Sequence, residues 1–96
     1  MWRLDSDDDA QRADMAEQIV DAMAPLPDSI PGIRRMSLDV NQVLPAENAD
    51  VVLTMDFDDL KAFEEYRHHP AHVAVSPIIS ALYRSRLAVD FELAGD

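Results

Sequence analysis

Residues 33–57 read IRRMSLDVNQVLPAENADVVLTMDF, and the period of their apolar residues decides the fold class. Met36, Leu38 and Val40 alternate with Ser37, Asp39 and Asn41. Val51, Leu53, Met55 and Phe57 alternate with Val52, Thr54 and Asp56. A period of two puts one set of side chains on one face of a strand, so each run predicts a half-buried strand. The Pro45–Asn48 stretch between them is short and turn-forming, which makes the two strands an antiparallel pair.

Outward from this hairpin the period changes. Ala16, Ile19, Val20 and Met23 stand at i, i+3, i+4 and i+7 and predict a helix over Ala10–Ala24. Ser6 is the expected cap, with the acids of Asp5–Asp9 facing the positive end of the helix dipole. A calcium loop starting at Asp5 needs glycine at Ala10 and glutamate at Ala16, so that reading fails. Pro25, Pro27, Pro31 and Gly32 make a stiff connector into the hairpin. Beyond the hairpin, Asp58 or Asp59 caps a helix that ends near His69, because Pro70 disfavours helical geometry before it. Val75, Ile78, Ile79 and Leu82 give a further helix, which Ser76-Pro77 either restarts or kinks. Leu87, Val89, Phe91 and Leu93 alternate as a closing strand. Met1–Leu4 reads as the tail of a first strand, apparently truncated.

The order (strand)–helix–strand–strand–helix–helix–strand defines an α+β, ferredoxin-like sandwich. Its four-stranded antiparallel sheet carries helices on one face. Arg35, Ser37, Asp39, Val52, Thr54, Arg86, Ala88 and Asp90 are expected on the other.

The 96 residues make one domain, 48% of them apolar. The chain has no cysteine, which removes disulfides and thiolate chemistry. Nineteen acids against eight bases give a net charge of −11. Such a surface repels phosphate backbones and anionic lipid, so nucleic acid and membranes are poor partners. The apolar runs are too short to span a bilayer. The N-terminus lacks the pattern of a secretory signal, so cytoplasm is the expected location.

All three histidines fall in Tyr66-Arg-His-His-Pro-Ala-His72. Six helical steps would leave Tyr66 and His72 on different sides, but a bend at Pro70 can turn both towards one cavity between sheet and helices. A phenol and an imidazole there could take a proton from a carbon acid and steady the enolate. The plainer reading is structural: His69 satisfies backbone groups at a helix end, His72 packs in the next helix, and Tyr66 is core. A metal reading of His68, His69 and His72 lacks a carboxylate at ligand spacing, and no metal is expected.

The run Phe63-x-x-Tyr66-x-x-His69-Pro70-Ala71-His72-Val73, followed by Arg86-Leu-Ala-Val-Asp-Phe91, resembles the stress-responsive dimeric α/β-barrel (Dabb) family. Leu26–Ile33 looks like that family's loop before its second strand, and Asp50–Phe57 like its third. The resemblance covers nearly all of residues 1–96. It implies a homodimer whose two sheets meet face to face as a barrel. It also implies several more strand residues before Trp2, so that Met1 is not the natural start. Within the family, the plant polyketide cyclase that makes olivetolic acid is similar through the same stretch. That likeness implies His72 as base, Tyr66 as the hydroxyl that orients the substrate, and ring closure of a poly-β-ketone or aromatic precursor without cofactor. Val51 stands where the cyclase has a histidine. Val51, Leu53, Phe63, His69 and Ile79 are the expected binding residues. The alternatives are a non-catalytic stress or assembly protein, whose Tyr/His cluster is structural, and a cofactor-free monooxygenase of similar architecture.

Overall fold

The computed structural model describes residues 1–43 and 48–93. Strand β1 (Trp2–Leu4) is followed by helices α1 (Asp9–Met23) and α2 (Leu26–Ser29), and then by strands β2 (Ile33–Val40) and β3 (Val51–Phe57). Helices α3 (Leu60–His68) and α4 (Pro70–Ser80) precede strand β4 (Tyr83–Arg86). The sheet order is β2-β3-β1-β4, with every neighbouring pair antiparallel. The hairpin is as expected: Met36 faces Met55 and Leu38 faces Leu53. Most of the turn expected at Pro45–Asn48 lies outside the described residues.

The core lies between the sheet and the helices. Trp2 and Leu4 from β1, Ile19 and Met23 from α1, Val51 from β3 and Tyr66 from α3 are all buried in it. Four details differ from expectation. Asp8, not Ser6, caps α1, its carboxylate accepting from the Gln11 amide at 3.0 Å. Ser6 is two residues too early, and its hydroxyl instead bonds Gln11 Oε1 and the Asp8 amide. The proline-rich connector contains the short helix α2, whose Leu26 enters the core. Proline suits the first turn of a helix, so Pro25 and Pro27 start this one rather than prevent it. Helix α4 runs through Pro77 without a restart.

The fourth difference is the closing strand, which spans Tyr83–Arg86 rather than Leu87–Leu93. A strand exists only where it has a partner. The β1–β4 pairing runs from Leu4–Tyr83 to Trp2–Arg86, followed by the Leu87 amide, which donates to the Met1 carbonyl at 2.9 Å. Side-chain parity shifts with it. Arg86 lies directly across from Trp2 and so shares the helix-covered face, not the open face first assigned to it. Alternation then turns Leu87 to the open face.

Asp50 completes the joint between β1 and β3. Its amide donates to the Trp2 carbonyl at 2.8 Å, and its Oδ2 accepts from the Leu4 amide at 2.7 Å. Arg12 of α1 reaches the same carboxylate at 3.6 Å. One side chain thus replaces a ladder bond where β1 leaves β3.

Candidate functional site

The bend at Pro70 brings the phenol and the imidazole together. Helix α3 is capped by Asp59, which accepts from the Ala62 amide at 2.8 Å, and Tyr66 on its inner face is buried. His69 is extended, closing α3 and capping α4. Its Nδ1 accepts from the Ala71 amide at 3.0 Å. The first turn of α4 therefore lays His72 back over the end of α3. The rings of Tyr66 and His72 stand 4.4 Å apart between centroids, tilted by 42°.

Two contacts define the chemistry of this pair. His72 Nδ1 lies 3.1 Å from the Arg67 carbonyl oxygen. A carbonyl can only accept, so Nδ1 carries the proton in this bond, and in the neutral ring Nε2 holds the lone pair. Tyr66 packs at 5.1 Å against Phe57, which meets Phe63 edge-on at 5.4 Å. Burial pushes the Tyr66 phenol above its ordinary pKa, and the positive charge of Arg86 opposes that rise. Nothing in the sequence pattern marks Arg86 as a neighbour of Tyr66. Its placement follows from pairing across Trp2, which periodicity alone does not reveal.

The raised phenol has a measurable consequence. The folded chain holds the Tyr66 proton more tightly than the unfolded chain does. Stability is therefore unaffected below about pH 10 and falls as pH rises from there through the folded pKa. Absorbance at 295 nm is expected to show Tyr66 ionising later than an ordinary tyrosine. Tyr66→Phe is expected to remove that late phase and flatten the alkaline loss of stability. Ionisation of Tyr66 at or below pH 10 would refute the assignment.

The other expected residues have separate places. His68 approaches Glu64 at 4.0 Å, so the three histidines make three different contacts. Among the described residues, no three His, Cys, Asp or Glu side chains converge. Phe63 is half-buried beneath the Arg67 guanidinium, 6.0 Å from its ring centroid. Val51 and Ile79 are buried in the core, and half-buried Leu53 packs against that core. An open groove of 480 Å³ lies beside the site, lined by Arg67, His72, Val73, Ser76, Pro77 and Ser80. The cavity expected to receive both side chains is not formed: His72 lines the groove, whereas Tyr66, buried against the sheet, packs on the other side of the imidazole and does not line it. A second hollow, of 330 Å³, lies at the β2–β3 end and includes Val51. No helix is long and apolar enough to cross a membrane among the described residues.

An antiparallel sheet in the order β2-β3-β1-β4 with helices on one face makes this a ferredoxin-like protein, and solved structures agree. A dimeric ferredoxin-like protein of unknown function from Thermobifida fusca YX is 30% identical, with a TM-score of 0.81. That match covers 97% of this chain and 85% of the other. A dimeric protein of unknown function and ferredoxin-like fold from Bacteroides fragilis NCTC 9343 is 29% identical, with a TM-score of 0.81, covering 96% and 89%. The model of the stress responsive A/B barrel domain, Dabb, matches residues 1–93. The chain belongs to that family. No curated protein matches it.

Proposed function

We propose that this Dabb protein is a homodimer with a small-molecule site at Tyr66 and His72, and that the site performs cofactor-free proton transfer on a β-dicarbonyl or phenolic compound. The observation that carries the reading is the ring contact between the two residues, with His72 Nδ1 held by the Arg67 carbonyl. That bond orients the imidazole and leaves Nε2 to accept a proton. His72 Nε2 takes the proton from a carbon between two carbonyls, and the bonding pair moves into the enolate. Tyr66, packed behind the imidazole at 4.4 Å and outside the groove lining, holds the His72 ring in position for that transfer. Attack of the enolate carbon on a second carbonyl closes a ring, and the proton on His72 passes to the new alkoxide. The dimeric state of both structural relatives supports the homodimer.

Exchange of deuterium into a mono-substituted β-diketone, followed by NMR above the buffer rate, tests this reading. His72→Gln is expected to lower the protein-dependent rate by about a hundredfold or more, and Tyr66→Ala, which removes the ring packed against His72, by about tenfold or more. A wild-type protein that exchanges no faster than buffer would sink the proposal.

A second reading rests on the same hydrogen bond. By tying the end of α3 to the start of α4, His72 also serves the architecture of that corner. If His72→Gln lowers the melting temperature sharply and leaves exchange unchanged, the structural role stands and the catalytic one falls.

A further inference from the structure

We propose that the groove at the α3–α4 corner selects compounds that carry a carboxylate: the Arg67 guanidinium holds the anion while the acidic carbon of the same β-dicarbonyl chain rests at His72. This rests on the reading of His72 given above, narrows its substrate class, and makes the Arg67 side chain the determinant of that choice.

The first observation is local charge. The chain carries 19 acids against 8 bases, yet no Asp or Glu falls between Glu65 and Asp90. The groove is built on this stretch. Among the described residues its lining includes Arg67 and His72 but no carboxylate. A small acid repelled by most of the surface meets a local exception here.

The second observation is the wall that α4 contributes. His72, Ser76 and Ser80 stand at i, i+4 and i+8, and Val73 and Pro77 stand at i and i+4 beside them. Residues four apart are neighbours on a helix surface, so a polar row runs next to an apolar one. A chain with carbonyl oxygens along one edge and methylenes along the other matches such a wall. Arg67 stands at the His72 end of both rows, because His72 Nδ1 donates to the Arg67 carbonyl at 3.1 Å.

The third observation is the state of the guanidinium. It lies over the Phe63 ring, 6.0 Å from the centroid, a contact that restrains it without using its N–H groups. Its Nη1 also meets both carboxylate oxygens of Glu64, at 3.3 and 3.4 Å. Glu64 is thus a resident carboxylate on this cation. Both contacts come from Nη1, so the two-pronged bonding that arginine offers a carboxylate is not used. The pair is 55% and 47% exposed and joins residues three apart on one helix, so it contributes little and gives way to a better-placed acid.

The test separates this selection from the chemistry at His72. Replacing the Arg67 side chain keeps the backbone carbonyl that orients His72. The probes are 5-methyl-4,6-dioxoheptanoate, a β-diketone with a carboxylate arm, and its methyl ester. Binding is read from the Val73 and Ser76 amide shifts, and turnover from deuterium exchange. The wild type is expected to bind the acid about tenfold or more tighter than the ester, with the gap closing in high salt. Arg67→Gln is expected to bring the two compounds within about twofold of each other. Glu64→Gln, which removes the competing carboxylate, is expected to tighten acid binding about twofold or more. Equal binding of acid and ester by the wild type, binding of neither, or an Arg67→Gln variant that keeps the full preference overturns the selection. Protein-dependent exchange that persists in any of those cases leaves the His72 reading standing. Arg67-dependent binding of the acid with no exchange above buffer supports the anion site and sinks the proton transfer.

Discussion

Gly32→Ala is expected to destabilise the fold by about 2–4 kcal/mol, read from urea unfolding. Two separate effects add here. Gly32 has φ +95°, a conformation that L side chains rarely adopt. Forcing alanine into it costs roughly 1–2 kcal/mol. A Cβ at this position would also stand 2.8 Å from the Ala62 Cβ on α3, inside any normal carbon contact. Neither group is a flexible side-chain end, so relief requires backbone movement. The Gly32 carbonyl accepts from the Asp58 amide at 3.1 Å, just before α3, so that movement reaches the helix that carries Tyr66. Ala62→Gly separates the effects. Alone it loses about 1 kcal/mol of helix propensity. In the double variant it removes the clash, and the loss is expected to fall short of the sum of the single losses by about 1 kcal/mol. Strict additivity would mean that the close approach to Ala62 carries no energy.

Ile19→Ala is expected to lower stability by about 3–4 kcal/mol. Ile19 is fully buried, at 0% exposure, on the inner stripe of α1 with Ala16 and Met23. Three heavy atoms are lost, and the α1 backbone restrains collapse around the space they leave. A domain of this size is stable by roughly 5–14 kcal/mol, so one side chain carries a large share. Val73→Ala is the control. Val73 is 55% exposed on α4, and its truncation is expected to change stability by about 0.5 kcal/mol or less. Similar losses at the two positions would contradict the placement of the core.

Most of this architecture is legible before any coordinate is seen. The alternations at Met36–Val40 and Val51–Phe57 became β2 and β3 because each strand has a complete partner and one buried face. The stripe through Ala16, Ile19 and Met23 became α1 for the corresponding reason. Leu87–Leu93 shows where such reading stops. Its alternation is as clear as that of β3, yet periodicity reports the faces of a strand and says nothing of the neighbour it needs. Capping is similarly underdetermined, since Ser6 and Asp8 are both good cap residues and only the true start of α1 chooses between them. At the candidate site, the approach of Tyr66 to His72 follows from the proline at position 70. The bond from His72 to the Arg67 carbonyl and the nearness of Arg86 do not, because both depend on how the helix corner and the β4 register settle in three dimensions.

The junction around Asp50 also shapes how the molecule can move. β2 and β3 are laced together from Ile33–Phe57 to Val40–Val51, whereas β1 meets β3 only at Trp2–Val51 beside the Asp50 clamp. The sheet therefore consists of two unequal plates sharing a narrow fault line. Slow breathing would part the β1–β4 plate from the hairpin before the hairpin itself frays, because so few backbone bonds cross that line. A carboxylate rather than a ladder guards the crossing, so replacing this one side chain would loosen the plates without disturbing either one internally.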